Sequence, residues 1–509
     1  MEPIKNVIIF LTDQERALQH FPPGWEKENL KGLTRLKEKG LTFERAFTNS
    51  CMCSPARSTW MSGYFPAQHG VKYTLESTLP PKGGAECNYP QVPLKTPGEG
   101  LKNIATVMAA AGFNVVYKGK WHCSKPRHND KWVPQDLADY GFSRWNPQDA
   151  GANQEVEEGG GAPGTSWKMD GEGNNDERFM RDHGDMEAGK EGVLAYLGSL
   201  VASKKKGELQ KPFCLIISLV NPHDVLFYPG EDSFEDSGYS EAPPPAGPPH
   251  LEDWLDGTVE IPVTENENLE SKPRVQSEFL RLSQGLGRLE TDAEKKNYIN
   301  YYGNLMRSSD SYLVEVLDTL GGDLLDETLI IRTADHGEMG LTHGGQRQKN
   351  FNFYEESIRV PLVYSNPGLF KEAQSSDALV SHVDFLPTLA SLFDTPPDAR
   401  TEGWEGVDYS GLVRDPGSEP VQDYIVFTYD DYQSGQAFRD LSFYPNPPNH
   451  IVSIREQRYK LAKYYDASEG SEIPPQWEMY DLWMDHGLET TNLAYDLPNQ
   501  SDEVIAEFK

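Results

Sequence analysis

The sequence predicts an α/β protein, with a mostly parallel sheet flanked by helices and a smaller, largely antiparallel C-terminal part. Three observations predict it. Apolar runs such as "VIIFL" (7–11) and "CLIISLV" (214–220) show little polar alternation, as expected of strands buried on both faces. Helix-like segments alternate with such runs through the first 400 residues, which argues for parallel strands joined by helical crossovers. Beyond residue 422, "DYIVFTYDD", "HIVSIREQRYKLAKYYD" and "WEMYDLWMD" alternate in strand fashion.

Taken in order, "KNVIIFLTDQ" is the first strand and ends in Asp13 and Gln14. "GLTRLKEKGLTFERAFT" reads as a helix and a short strand. A Ser/Thr-rich helix start follows, running in from Cys51 and Cys53. "NIATVMAAAGFNVVYKGKWH" is a helix stopped by Gly112, then a strand leading to Lys120 and His122. "PFCLIISLVNPHD" is a strand ending in His223 and Asp224. "NYINYYGNLMRSSDSYLVEVLDTLGG" is a long helix with Gly321 and Gly322 as its stop. "ETLIIRTADHGE" is a strand delivering Asp335 and His336, and "ALVSHVDFLPTLASLF" is a helix with Pro387 near its start. Long irregular inserts occupy about 151–177 and 228–275. The expected organisation is a main domain over 1–400, a linker over 401–422 and an α+β part over 423–509 that ends in a helix.

The net charge is −32, from 79 acidic and 47 basic residues, which argues against a nucleic-acid partner. Five cysteines at irregular spacing form neither a disulfide framework nor a CxxC zinc pattern. No apolar run is long enough to span a bilayer. The N-terminus lacks the features of a signal peptide, so the expected location is cytoplasmic, or periplasmic or secreted if a leader has been removed. Oligomeric state is not legible.

Four strand ends thus carry polar clusters: Asp13 and Gln14, Lys120 and His122, His223 and Asp224, Asp335 and His336. Open α/β sheets bind ligands beyond the carboxyl ends of their strands, so four such clusters can meet in one site. Asp13, Gln14, Asp335 and His336 offer mostly oxygen ligands, which suits Ca²⁺ or Mg²⁺, with the histidine tolerating Mn²⁺. Lys120, Lys349, His122 and His223 add positive or proton-donating groups, and a divalent cation with two lysines suits a tetrahedral oxyanion ester. The pair Cys51 and Cys53 is open to four readings at this level: a disulfide, a metal clip, a thiol nucleophile or a modified residue.

Cys53-Ser54-Pro55-Ala56-Arg57, followed by "STWMSGYFPAQHG", resembles the C-x-P-x-R core of the type I, formylglycine-dependent sulfatases of the alkaline-phosphatase-like superfamily. "LTDQ", "GKWH", "NPHD", "TADHGEMGLTHGG", Lys349 before "FYEESIRVPLV", "HVDFLPTL" and "MYDLWMDHGLETTNLA" match the same family in order along nearly the whole chain. The resemblance implies an alkaline-phosphatase-like α/β/α sandwich and hydrolysis of an aryl, alkyl or carbohydrate sulfate. It further implies conversion of Cys53, not Cys51, to Cα-formylglycine by a maturation enzyme. One hydroxyl of the hydrated aldehyde would attack sulfur, and the second would expel sulfate by collapsing back to the aldehyde. By the same resemblance Asp13, Gln14, Asp335, His336 and the modified Cys53 hold Ca²⁺, with Mg²⁺ or Mn²⁺ as alternatives. Arg57 orients the nucleophile, Lys120 and Lys349 grip sulfate oxygens, His122 is a base and His223 serves the leaving group. His343 and Glu338, in the matched "DHGEMGLTHGG" segment, are expected to support the site residues from behind or to be structural, rather than catalytic. Gln14 stands where many relatives carry a second acid, which leaves a phosphonate monoester or phosphodiester hydrolase as the alternative activity. The expected substrate is a small-molecule or oligosaccharide sulfate ester, with Tyr73, Trp121, Tyr228 and Trp254 as candidate wall residues or ordinary packing.

Overall fold

The computed structural model describes residues 4–75, 91–128, 132–147, 149, 176–182, 191–228, 257–401, 403–432, 434 and 444–509. Most of the two expected inserts lies outside these residues, as do Cys87 and Trp254.

The strands in chain order are β1 (Asn6–Asp13), β2 (Gly40–Phe43), β3 (Ala46–Phe47), β4 (Ser50–Cys51), β5 (Asn114–Gly119), β6 (Phe213–Pro222), β7 (Thr328–Ala334) and β8 (Arg359–Val360). They continue as β9 (Leu362–Ser365), β10 (Gln374–Ser376), β11 (Val380–Ser381), β12 (Tyr424–Tyr429), β13 (His450–Glu456), β14 (Tyr459–Tyr465) and β15 (Gln476–Asp481). The helices needed below are α1 (Lys31–Glu38), α2 (Cys53–Ser62), α3 (Ile104–Ala110), α4 (Val193–Lys206), α5 (Asp292–Asp326), α6 (Phe385–Leu392) and α7 (Asp502–Phe508).

Seven strands form the main sheet in the order β10-β2-β9-β7-β1-β6-β5. Four neighbours, β7, β1, β6 and β5, are parallel, and β9 runs against them. β1 shows why its sequence has no alternation. Ile8 and Phe10 enter a core with α1, α4 and α5, while Val7, Ile9 and Leu11 enter a second core with α3, α6 and Trp60 of α2. Helices therefore cover both faces, and burial on both sides demands apolar residues at every position. This is the α/β sandwich with a large mixed sheet. Among the described residues, no helix is long and apolar enough to cross a membrane.

One helix end differs from expectation. Gly321 (φ 64, ψ −177) leaves the helical region, yet the chain resumes helix to Asp326. Leu320 and Leu324 are buried on either side of the break, so packing recaptures the chain after the glycine.

β12, β13, β14 and β15 form the smaller antiparallel sheet, and α7 follows it. Its fifth member comes from far away in sequence. β12 runs parallel to β4 and pairs Tyr429 with Cys51, so the small sheet ends two residues before Cys53.

A buried ionic seam joins the two parts. Lys460 of β14 reaches Glu489 (2.7 Å) and Glu355 (3.4 Å), and Arg455 of β13 reaches Glu355 (3.2 Å). His343 lies between Glu267 (Nδ1 to Oε2, 2.7 Å) and Glu356 (Nε2 to Oε2, 3.6 Å), stacked on Tyr354. Glu489 lies within the same cluster, and His20 holds the far oxygen of Glu356 (2.7 Å). Burial alone would lower the His343 pKa, but its bonds to Glu267 and Glu356 outweigh that and raise it to about 9. A pKa raised on folding contributes stability that is complete below the unfolded value of about 6.5 and disappears as pH rises through the folded value. Unfolding free energy is therefore expected to fall by about 3 kcal/mol between pH ~6.5 and ~9.5. Urea titrations across that range check it, and His343→Gln should lose most of the slope.

Candidate active site

The four neighbouring parallel strands bring their carboxyl ends together. Asp13 closes β1, Lys120 and His122 follow β5, His223 follows β6, and Asp335 and His336 follow β7. Because β7, β1, β6 and β5 are neighbours, clusters more than 300 residues apart in the chain become one site.

Cys53 is the first residue of α2, and Arg57 lies four residues later, one turn along the same face. Pro55 sits in the first turn, where its missing N–H would have had no helical partner. These offsets explain the motif physically. The helix start favours developing negative charge at position 53, and the Arg57 guanidinium reaches beneath it.

Arg57 is 1% exposed and has four partners: Asp335 Oδ2 (2.8 Å), Asp13 Oδ2 (2.9 Å), Ser218 Oγ (2.9 Å) and the Lys120 carbonyl (3.0 Å). Lys120 Nζ pairs with the same Asp13 oxygen at 2.7 Å. Burial alone would raise the Asp13 pKa, but Lys120 and Arg57 hold it well below the usual carboxylate range. Asp335 moves the other way: burial and the neighbouring Asp13 charge raise it more than Arg57 and Lys120 lower it. Burial pushes the Cys53 thiol up to about 12, with Asp13 adding to the shift and Lys349 and Lys120 opposing it.

Asp13, Asp335, His336 and Cys53 each present one ligand atom, all within 4.8 Å of one another. His336 Nδ1 lies 3.1 Å from the Gly337 carbonyl and donates its proton there, so Nε2 keeps its lone pair, 3.2 Å from Cys53 Sγ. Two carboxylates and one oriented imidazole are a donor set that fits a divalent cation.

Gln14 and His122 both hold left-handed backbone (φ 63 and φ 54). Each is tied down from a distant segment. Gln14 N–H donates to Asp335 Oδ1 (3.0 Å), and His122 N–H donates to Asp149 Oδ2 (2.8 Å). His122 Nε2 donates to the Leu75 carbonyl (2.6 Å), leaving Nδ1 as the basic nitrogen without a hydrogen-bond partner. Burial, then the Lys120 charge, lower the His122 pKa well below its ordinary value. His223 is lowered likewise by burial and Lys120, so both imidazoles are neutral. Lys349 Nζ donates to Gln14 Oε1.

All eleven sequence-derived positions are buried, and eight of them are linked by the contacts just given; His122 is tied instead to Asp149 and the Leu75 carbonyl, and His223 and Asp224 meet at the end of β6, with 3.8 Å between His223 Nδ1 and Asp224 Oδ1. Ser218, Asp149 and the Leu75 carbonyl were missed. Ser218 carried a usable signal, since a lone hydroxyl inside "CLIISLV" needs a buried partner. Cys51 packs in β4 with its Sγ 4.0 Å from the Ser357 carbonyl, and the four described cysteines are free. Trp121 is not a wall residue. It is wholly buried, packs on Tyr117, Tyr140 and Phe142, and bonds Ser124 Oγ (2.8 Å). Tyr73 and Tyr228 are half-buried against Tyr432 and Tyr301.

The model of the sulfatase family matches residues 5–395. The chain belongs to the sulfatase family. A second family model, the C-terminal region of N-sulphoglucosamine sulphohydrolase, matches residues 345–509. An ulvan-active sulfatase of Formosa agariphila is 23% identical over 465 residues, covering 90% of this chain and 73% of that protein. The structure of a 2-O GAG sulfatase superposes with a TM-score of 0.66 at 18% identity, over 99% of this chain and 90% of that one. The phosphonate monoester hydrolase of Agrobacterium radiobacter superposes with a TM-score of 0.62 at 21% identity, over 97% and 92%. The sulfatase assignment makes the protein a sulfuric ester hydrolase, and it shares its fold with that phosphonate enzyme.

Proposed function

We propose that this sulfatase cleaves its ester with Cys53, converted to formylglycine, as nucleophile, beside a Ca²⁺ ion held by Asp13, Gln14, Asp335 and His336. The observation that carries this is the convergence of Cys53 Sγ with ligand atoms of Asp13, Asp335 and His336 within 4.8 Å, ringed by Arg57 and Lys120. The Sγ atom marks where the reacting oxygen of the modified residue would stand. A bound divalent ion would lower the pKa of that hydroxyl and screen the sulfate oxygens.

The chain's own groups do the rest. Arg57 orients the nucleophile and balances Asp13 and Asp335. Lys120 and Lys349 hold sulfate oxygens, with Lys349 shielding the leaving oxygen. His122, neutral and with Nδ1 unpartnered, accepts the proton from the second hydroxyl as sulfate departs. His223 hydrogen-bonds the ester oxygen and serves the leaving group. The 79 acidic residues favour small esters or oligosaccharide ends over long sulfated polymers.

Mass spectrometry of the tryptic peptide spanning Ala46–Arg57, from protein made with a maturation enzyme present, tests the nucleophile. The expected result is an aldehyde at Cys53 and an alkylatable thiol at Cys51. Free thiols at both positions in active protein would overturn it. The metal is tested by chelation: activity should disappear and return with Ca²⁺ more fully than with Mg²⁺ or Mn²⁺. Sulfate and phosphonate esters of one leaving group, assayed in parallel, should show faster sulfate cleavage.

A further inference from the structure

Glu338 is fully buried and accepts hydrogen bonds on both oxygens. Oε1 accepts from Tyr298 Oη (2.7 Å), Gln348 N (2.9 Å) and Gly340 N (3.1 Å). Oε2 accepts from Gln14 Nε2 (2.5 Å) and Gln348 N (3.1 Å). Every group in hydrogen-bond contact with the Glu338 carboxyl is a donor, so both of its oxygens are committed as acceptors.

The side-chain amide of Gln14 is thereby fixed in one sense. Its Nε2 faces Glu338 and, at 3.3 Å, Gln348 Oε1. Its Oε1 faces Lys349, whose charge also acts on Cys53 and His336. Turning the amide over would set oxygen against carboxylate and N–H against ammonium, both repulsive in a dry site. A carboxylate at position 14 would also meet Glu338 at hydrogen-bond distance with no proton between them.

We propose that Glu338 is a positioning residue that makes Gln14 a metal ligand: it holds the amide oxygen toward the site, and its charge excludes an acid at position 14. This rests on the metal reading above. Residues that orient ligands in this way commonly change metal affinity by about 10–100-fold.

The test is calorimetric titration of metal-stripped protein with Ca²⁺ in four forms: parent, Glu338→Gln, Gln14→Glu and the double variant. Glu338→Gln is expected to weaken binding about tenfold in the parent background, because the Gln14 amide is then free to turn. In the Gln14→Glu background the same change is expected to strengthen binding, because the amide it introduces donates to the new carboxylate. A change of the same sign in both backgrounds, or none in either, would mean that Glu338 only clips the loop to Gln348, and would overturn the proposal. A parent protein with no saturable Ca²⁺ site overturns the metal reading and this proposal together. If Glu338→Gln alone folds too poorly to titrate, Gln14→Glu against the double variant still decides: a lost loop clip predicts weaker binding in the double, and a restored hydrogen bond predicts tighter.

Discussion

Replacing Cys53 by alanine is expected to lower kcat/KM toward a sulfate ester by at least about 10,000-fold, or ~5.5 kcal/mol of transition-state stabilisation. The side chain is small and already buried, so the fold should tolerate the change. The surrounding charges stay in place, since Arg57 and Lys120 make their ion pairs with Asp13 and Asp335 rather than with Cys53. Retained Ca²⁺ binding with lost turnover would separate loss of the nucleophile from collapse of the site. Cys51→Ala is the control. Its backbone pairs with Tyr429 of β12 and its Sγ lies 4.0 Å from the Ser357 carbonyl, and turnover should stay within about threefold, because core packing acts on stability and not on the reacting atoms. Steady-state kinetics on both variants decide it. More than about 1% residual activity in Cys53→Ala, a loss of less than ~2.7 kcal/mol, would mean that some other group attacks sulfur.

Arg57→Lys is expected to damage both rate and stability, although the charge is conserved. The guanidinium serves Asp13, Asp335, Ser218 and the Lys120 carbonyl at once, at 2.8–3.0 Å. A lysine ammonium lacks the planar fork and cannot span two carboxylates and a carbonyl from one position. Losing an oriented donor set at the reacting centre costs about 100–1,000-fold in kcat. Leaving a buried carboxylate short of its partner costs about 3–5 kcal/mol. Chelated protein should show the full stability loss, and added Ca²⁺ should recover part of it by neutralising Asp335. Thermal unfolding with and without the ion, beside kcat, checks both halves. Equal stability of variant and parent in chelator would contradict the ion-pair account.

Much of the site was legible because its residues sit where local pattern is strongest. Asp13, Lys120, His223 and Asp335 end or follow largely apolar strands, and a strand buried on both faces places most of its polar groups at its ends. The helix start after Cys51 and Cys53 was legible from local composition, and the structure places Cys53 at its first position with Arg57 one turn later. Other features left little local trace. Asp149 holds the backbone of Trp121 and His122 from 27 residues beyond His122, and the Leu75 carbonyl orients the His122 ring through a backbone atom that no residue type announces. Trp121 is open in sequence to a wall role or to ordinary packing, and its neighbours Tyr117, Tyr140 and Phe142 decide for packing by closing over it.

By itself the sequence determined which strands are buried, which polar residues stand at their ends, and that a Ser/Thr-rich helix start runs in from Cys51 and Cys53. Periodicity and turn chemistry act over a few residues, so the chain records them locally. Only the tertiary structure decided that β7, β1, β6 and β5 are neighbours, that the C-terminal sheet joins the strand before Cys53, and that Glu338 meets Gln14. Equally apolar strands can pair in many orders. The choice among them depends on how the helices cover both faces and on which buried charges find partners.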